Sequence, residues 1–210
     1  VLAVLDVSEL QGPIDWPAVA SSGVDAVWIR ACEGVTPDAE FARNWAGARS
    51  VGLPRGAYTF LRARHTADDL GAALLRQLGS DAGELPVMLD AETLDGAQRP
   101  AFVELIGDLA DLVDLELDRG PLLYTYPAFW AQLHAVRAPA LPLWIAHYGV
   151  ERPSVPVGWN DWLLWQYTGT GRCPGVSTIV DRSRFRGTLD ELLALGVSPM
   201  VDAPTEPVAA

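Results

Sequence analysis

The run Pro86-Val87-Met88-Leu89-Asp90-Ala91-Glu92 decides the architecture. It is a short apolar stretch, entered by a proline and stopped by two acids, which has the length of a strand and not of a helix. Upstream, Thr66 and Asp69 form a capping box leading into Leu70, Leu74 and Leu78 at helical spacing, with Gly79 as the stop. Downstream, Phe102, Leu105, Ile106, Leu109, Leu112 and Val113 mark one face of a helix over residues 99–118, with Gly120 ending it. A strand between two helices is the unit of a parallel sheet with helical crossovers.

The same pattern repeats outward in both directions. Apolar runs at 2–5, 26–29, 56–60, 86–89, 122–124, 143–146, 163–166 and 178–180 give eight strands. Asp15 ahead of Trp16-Pro17 reads as an N-cap with an early-turn proline. Phe41, Trp45 and Ala48 recur on one helical face that Gly52 closes, and Thr188 with Glu191 caps a last helix running to Leu195. The first five strand centres lie roughly 24–35 residues apart and the later ones roughly 14–21, against the dozen or more residues that a helical crossover takes. The expectation is an α/β barrel with helices around the first half and a bare or loop-covered second half.

Fifteen basic residues, all of them arginine, stand against 27 acidic ones, a net charge of −12. The arginines are scattered, so no basic patch is available for a phosphate backbone or an anionic membrane. No apolar run reaches the length of a membrane span. Cys32 and Cys173 form no framework, and their spacing leaves open whether they are bridged. With three separated histidines and no CxxC, neither a zinc site nor any cofactor is expected. Val1 enters an apolar strand with no charged segment or cleavage-like site before it, so no signal peptide is visible in this stretch. The chain divides into a single barrel over 1–198 and a proline-rich tail over 199–210 that reads either as a linker stub or as a frayed terminus.

Active sites of parallel barrels lie at the C-terminal ends of the strands. There the sequence places Asp6, Glu33, Tyr58, Asp90 with Glu92, Tyr124 with Tyr126, Trp144 with His147, Gln166 and Asp181. Asp90 and Glu92 share a face by strand alternation. Two close carboxyls push one another toward different protonation states, which suits general acid work on a glycosidic bond. Plainer readings stand beside these. Asp90 and Glu92 could cap the next turn, Asp6 could bond Ser8, and Asp181 could pair with Arg182 or Arg184. Glu33-Gly34 could be turn chemistry and His147 a structural histidine. Of the eight tryptophans, Trp28, Trp45 and Trp130 are assigned to the core, and Trp144, Trp159, Trp162 and Trp165 to stacking on sugars.

The ordered set of motifs resembles glycoside hydrolase family 25, the Chalaropsis-type lysozymes, over residues 2–195. It comprises Leu5-Asp6-Val7-Ser8 with Ile14-Asp15-Trp16, Arg30-Ala31-Cys32-Glu33-Gly34, and Asn44-Trp45-Ala46-Gly47 with Gly56-Ala57-Tyr58. Leu89-Asp90-Ala91-Glu92, Tyr124-Thr125, Leu143-Trp144-Ile145-Ala146-His147-Tyr148, Trp165-Gln166-Tyr167 and Val180-Asp181 complete it. The sequence departs from the family pattern at Thr59, Ser183 and Cys32, where His, Asn and Thr are commoner.

The resemblance implies an irregular (β/α)5(β)3 barrel. It implies a cofactor-free N-acetylmuramidase that cleaves the β-1,4 bond between N-acetylmuramic acid and N-acetylglucosamine in peptidoglycan. By position Glu92 is the general acid, with Asp90 assisting the acetamido group or acting as partner carboxylate, and Asp6 and Asp181 are the remaining catalytic acids. Glu33, Tyr58, Tyr124, Tyr126, Trp144, His147 and Gln166 are the expected substrate contacts. The partner is a peptidoglycan strand acted on at the cell wall by a secreted or phage-encoded protein, with the tail leading to a wall-binding domain or a virion component. Two alternatives use the same residues: a non-catalytic wall-binding module, and a hydrolase holding a hard cation on Asp6, Asp90, Glu92 and Asp181.

Overall fold

The computed structural model describes residues 1–134 and 140–196. Eight strands close into a barrel: β1 (Leu2–Val7), β2 (Ala26–Glu33), β4 (Arg55–Phe60), β5 (Met88–Asp90), β6 (Leu122–Thr125), β7 (Leu143–Ala146), β8 (Leu164–Gly171) and β9 (Val180–Phe185). Pairing runs β1-β9-β8-β7-β6-β5-β4-β2, and a β1–β2 pairing closes the ring. A two-residue strand, β3 (Thr36–Pro37), folds back on β2 and adds a ninth strand that the sequence reading lacks. All barrel pairings are parallel except those of β9, which runs antiparallel to both β8 and β1.

Helices fill the first five crossovers: α1 (Trp16–Ala20), α2 (Phe41–Ser50), α3 (Ala67–Leu78), α4 (Arg99–Leu117) and α5 (Pro127–Leu133). A final α6 (Leu189–Ala194) follows β9. The local signals act as read. Asp15 caps α1, Thr66 and Asp69 form a reciprocal box on α3, and Thr188 and Glu191 form one on α6. Gly52 and Gly79 take positive φ just past their helices. The long helix stops earlier than expected, because Asp118 and not Gly120 adopts the left-handed conformation, a role that Asp tolerates better than most side chains.

Alternation along the strands sorts the core into two layers. Outward residues such as Leu5, Ile29, Leu89 and Leu123 pack under Phe41, Leu74, Ile106 and Trp130 of the helices. Inward residues Val4, Trp28, Met88, Leu122, Trp144, Leu164 and Phe185 fill the barrel, with Leu192 of α6 joining them. Trp28 and Trp144 meet edge-to-face with centroids 4.9 Å apart. The Trp28 indole donates to the carbonyl of Pro86 at 2.9 Å and lies flat over Gly56, its cross-strand neighbour.

The unhelical flank carries its own cluster. Leu143 and Ile145 point outward from β7 and are covered by Trp162 and Trp165, with Trp159 and Tyr167 packed at the margin. Three of the four tryptophans assigned to sugar stacking therefore stand in for missing helices, and the fourth, Trp144, lies fully buried in the barrel.

The eighth barrel strand also differs from its expected position at 178–180. It starts at Val180 and alternates Asp181, Ser183 and Phe185 inward with Arg182 and Arg184 between them. An apolar-run criterion passes over such a strand. Among the described residues no helix is long and apolar enough to cross a membrane. The tail at 199–210 lies outside the described residues.

Candidate active site

Beyond the aromatic floor, the inward positions turn polar at one end of the barrel. Asp6 of β1, Arg30 of β2, Tyr58 of β4, Asp90 of β5, Tyr124 of β6 and Gln166 of β8 come from six of the eight barrel strands, with Glu92 two residues past β5. Asp181 joins them from the start of β9, not from a strand end. Because β9 is antiparallel, its N-terminal end lies beside the C-terminal ends of its neighbours, and Asp181 is the Cα partner of Asp6.

Burial raises all four carboxyls, and repulsion between them adds to the effect on Asp6, Asp90 and Glu92. Asp6 and Asp90 are each only 7% exposed. Burial pushes both well above the usual carboxylate range, Asp181 adds to the effect on Asp6, and Glu92 and Asp6 add to it on Asp90. Glu92, half-buried, is raised by burial and then by Asp181, while Arg62 pulls it back. Asp181 is pushed up to about 6 by burial. One oxygen of Asp90, Oδ1, is buried with no hydrogen-bond partner.

The plainer readings of these acids give way. Asp6 leaves Ser8 to its own turn, where Ser8 caps Glu9–Gln11, and instead accepts from Gln166 Nε2 at 3.0 Å on each oxygen. Arg182 donates to the carbonyl of Arg172, and Arg184 stacks over Tyr167 at 4.4 Å, so neither neutralises Asp181. Among the described residues no group of three or more His, Cys, Asp or Glu side chains is placed to hold a metal ion. The four carboxylates thus share a mouth without forming a coordination cage.

Arginines buttress one rim. Arg30, nearly buried, donates to Asp38 at 2.8 Å and to Glu9 at 3.1 Å and stands 3.5 Å from Glu33. Arg62 pairs with Glu33 and with Asp95 at 2.9 Å, and its guanidinium lies over the Phe60 ring. Glu33 is therefore held by two arginines. Sequence reasoning missed Arg62 and Asp38, whose partners come from distant loops.

The expected substrate contacts separate into three groups. Tyr58 and Tyr124 point into the mouth, where burial and the nearby acids hold their hydroxyls protonated. Tyr126 leans on Phe129 at the margin, and the His147 ring accepts from the Ser154 amide at 3.0 Å, pinning the loop after β7. Trp144 and Gln166 lie deeper than the rest. Trp144 is sealed in the floor, its indole donating to Ser183 at 3.0 Å, and Gln166 is 2% exposed with both ends of its amide engaged. Tyr148, which the sequence reading left without a role, is 49% exposed and places its hydroxyl on Gln166. Thr59, Ser183 and Cys32, the three departures from the family pattern, are all buried away from the open mouth. Cys32 and Cys173 are free thiols, and burial pushes Cys32 up to about 11.

A barrel whose mouth gathers four unneutralised carboxyls among tyrosines is the equipment of a glycoside hydrolase. The chain belongs to glycosyl hydrolases family 25, whose sequence profile matches residues 5–176. It is 34% identical over 205 residues to lysozyme M1 of Streptomyces globisporus, covering 91% of this chain and 70% of that protein. The solved structure of the Streptomyces coelicolor lysozyme superposes with a TM-score of 0.82 at 33% identity, over 93% of this chain and 96% of that one. A muramidase from Trichobolus zukalii gives 0.81 at 27% identity, over 93% and 99%. The (β/α)5(β)3 architecture that the resemblance implies is the one observed.

Proposed function

We propose that this enzyme hydrolyses peptidoglycan at the β-1,4 bond between N-acetylmuramic acid and N-acetylglucosamine, with Glu92 as the general acid. One observation carries the assignment. Asp90 and Glu92 sit two residues apart at the mouth, one sealed with an unpaired oxygen and the other half-open with a raised proton affinity. An acid that keeps its proton toward neutral pH can deliver it to a leaving oxygen.

The reaction follows from these environments. Glu92 protonates the glycosidic oxygen as the bond to the anomeric carbon breaks. The carbonyl oxygen of the substrate's own acetamido group closes on that carbon from the opposite face, and the Asp90 carboxylate accepts the acetamido N–H as positive charge develops there. Water then opens the cyclic intermediate, giving its proton to the Glu92 carboxylate and restoring the acid. Such substrate assistance is a recognised departure from the two-carboxylate scheme. In the partner-carboxylate version Asp90 meets the anomeric carbon directly. Asp6 and Asp181 complete the acidic lining and favour the developing cation. The lysozyme and muramidase names of the relatives support the choice of glycan. Such an enzyme works at the cell wall, secreted or phage-encoded.

Purified peptidoglycan incubated with the protein tests the reading. Release of reducing ends, with mass analysis giving disaccharide units that end in N-acetylmuramic acid, supports it. Intact glycan chains, or fragments ending in N-acetylglucosamine, overturn it.

A further inference from the structure

Gln166 is buried on β8 with every edge of its amide committed. Nε2 donates to both oxygens of Asp6 at 3.0 Å, and Oε1 accepts the Tyr124 hydroxyl at 2.9 Å and that of Tyr148. Two of these partners come from β1 and β6, neither of which pairs with β8, and the third from the loop after β7. An amide can present either end to a neighbour. Turned over, it would set its oxygen against the Asp6 carboxylate, so the two hydroxyls and the carboxylate together select one orientation.

We propose that Gln166 is the positioning residue of this site, holding the Asp6 carboxyl in one orientation while Tyr124 and Tyr148 hold Gln166, with no direct contact to the glycan. The inference rests on the reading of the carboxyls as the catalytic set and assigns a task within it.

The electrostatics require such a residue. Asp6 is faced by Asp181 from β9, Asp90 of β5 and Glu92 beyond it, Tyr58 of β4, Tyr124 of β6 and Tyr148, with Arg30 of β2 as the cation across the mouth. Burial and the acids favour the protonated form of Asp6, and the Gln166 amide acts in the opposite direction. A donor shared by both oxygens stabilises the carboxylate and stops it from rotating. The outer end of the chain is Tyr148, exposed enough to be altered without opening the core.

The test follows the Asp6 carboxyl by carbon-detected NMR titration in the wild type, Gln166→Met and Tyr148→Phe, with kcat and KM on peptidoglycan across pH. Gln166→Met is expected to raise the Asp6 pKa by about one unit or more, as loss of a donor to the charged form requires. It is expected to lower kcat about tenfold or more while leaving KM within about threefold, the split that marks an interaction made for the transition state. The acid limb of the pH–rate profile moves to higher pH. Tyr148→Phe gives the same signs at smaller size, and it decides the matter if Gln166→Met does not fold. An unchanged Asp6 titration, or a loss confined to KM as for an amide that grips sugar, overturns the inference. A shifted Asp6 titration with unchanged kcat upholds the positioning role and removes Asp6 from the catalytic set.

Discussion

Asp6 and Asp181 face one another as Cα partners across the β1–β9 pair, two carboxylates where a sheet ordinarily avoids placing like charges. Burial and this opposition hold the folded-state proton affinity of the site acids above its unfolded value. The folded chain therefore binds protons that the unfolded chain releases. That contribution to stability is complete below about pH 4 and fades as pH rises through the folded values, through about 6 for Asp181. Asp81 and Glu84, which pair with Arg55, are lowered instead, and their contribution is lost on the acid side below about pH 4. Calorimetry from pH 3.5 to 8 is expected to show a maximum in Tm near pH 4–5 and a decline toward pH 8. Asp181→Asn should flatten that decline, raising Tm at pH 8 by roughly 2–4 °C, and lower turnover. A wild-type Tm that climbs steadily from pH 5 to 8 contradicts this.

Glu92→Gln keeps the shape of the side chain and removes its proton. Turnover of peptidoglycan should fall by about 10²–10⁴-fold, while co-sedimentation with insoluble wall persists. Full activity in this variant rejects the general acid assignment.

Gly56 lies beneath the Trp28 indole, where an added Cβ would sit 2.3 Å from Nε1. The ring is fixed by its hydrogen bond to Pro86 and by Trp144, so it cannot withdraw. Gly56→Ala should cost about 1–3 kcal/mol or more through overpacking, read as a lower urea midpoint. A midpoint equal to the wild type would show that the floor is plastic.

Trp165 covers β7 on the unhelical flank, and its indole donates to the carbonyl of His147 at 2.8 Å. Trp165→Ala should destabilise the fold by about 3–5 kcal/mol while KM for peptidoglycan in the surviving folded fraction stays at the wild-type value. A raised KM at unchanged stability would return this tryptophan to the glycan.

What the sequence revealed depended on the range of the interaction. Capping boxes such as Thr66 with Asp69 act within one turn and were legible, as were the strand ends carrying Asp6 and Asp90. The shift from helical crossovers to short connections was legible as spacing. Asp181 was found although its strand was misplaced, because the antiparallel course of β9 brings its beginning to the mouth. Gln166 and Trp144 were placed at the mouth by their positions on strands, but the direction of an amide and the depth of an indole depend on partners 39 to 160 residues away. Tyr148 and Arg62 carried no local signal, since Tyr148 meets Gln166 across 18 residues and Arg62 meets Glu33 and Asp95 across 29 and 33.

The position of β9 also sets the order of events during synthesis. β1 pairs with β2 as soon as both exist, but its other edge waits for residues 180–185. A nascent chain on the ribosome already bears Asp6, Asp90 and Glu92 yet has an open ring, no Gln166 tether and no Asp181. The contact that closes the barrel is also the one of greatest sequence separation, which is slow to form. The ring is thus incomplete until residues 180–185 have emerged, and the four carboxyls come together only with the strand that joins β8 to β1.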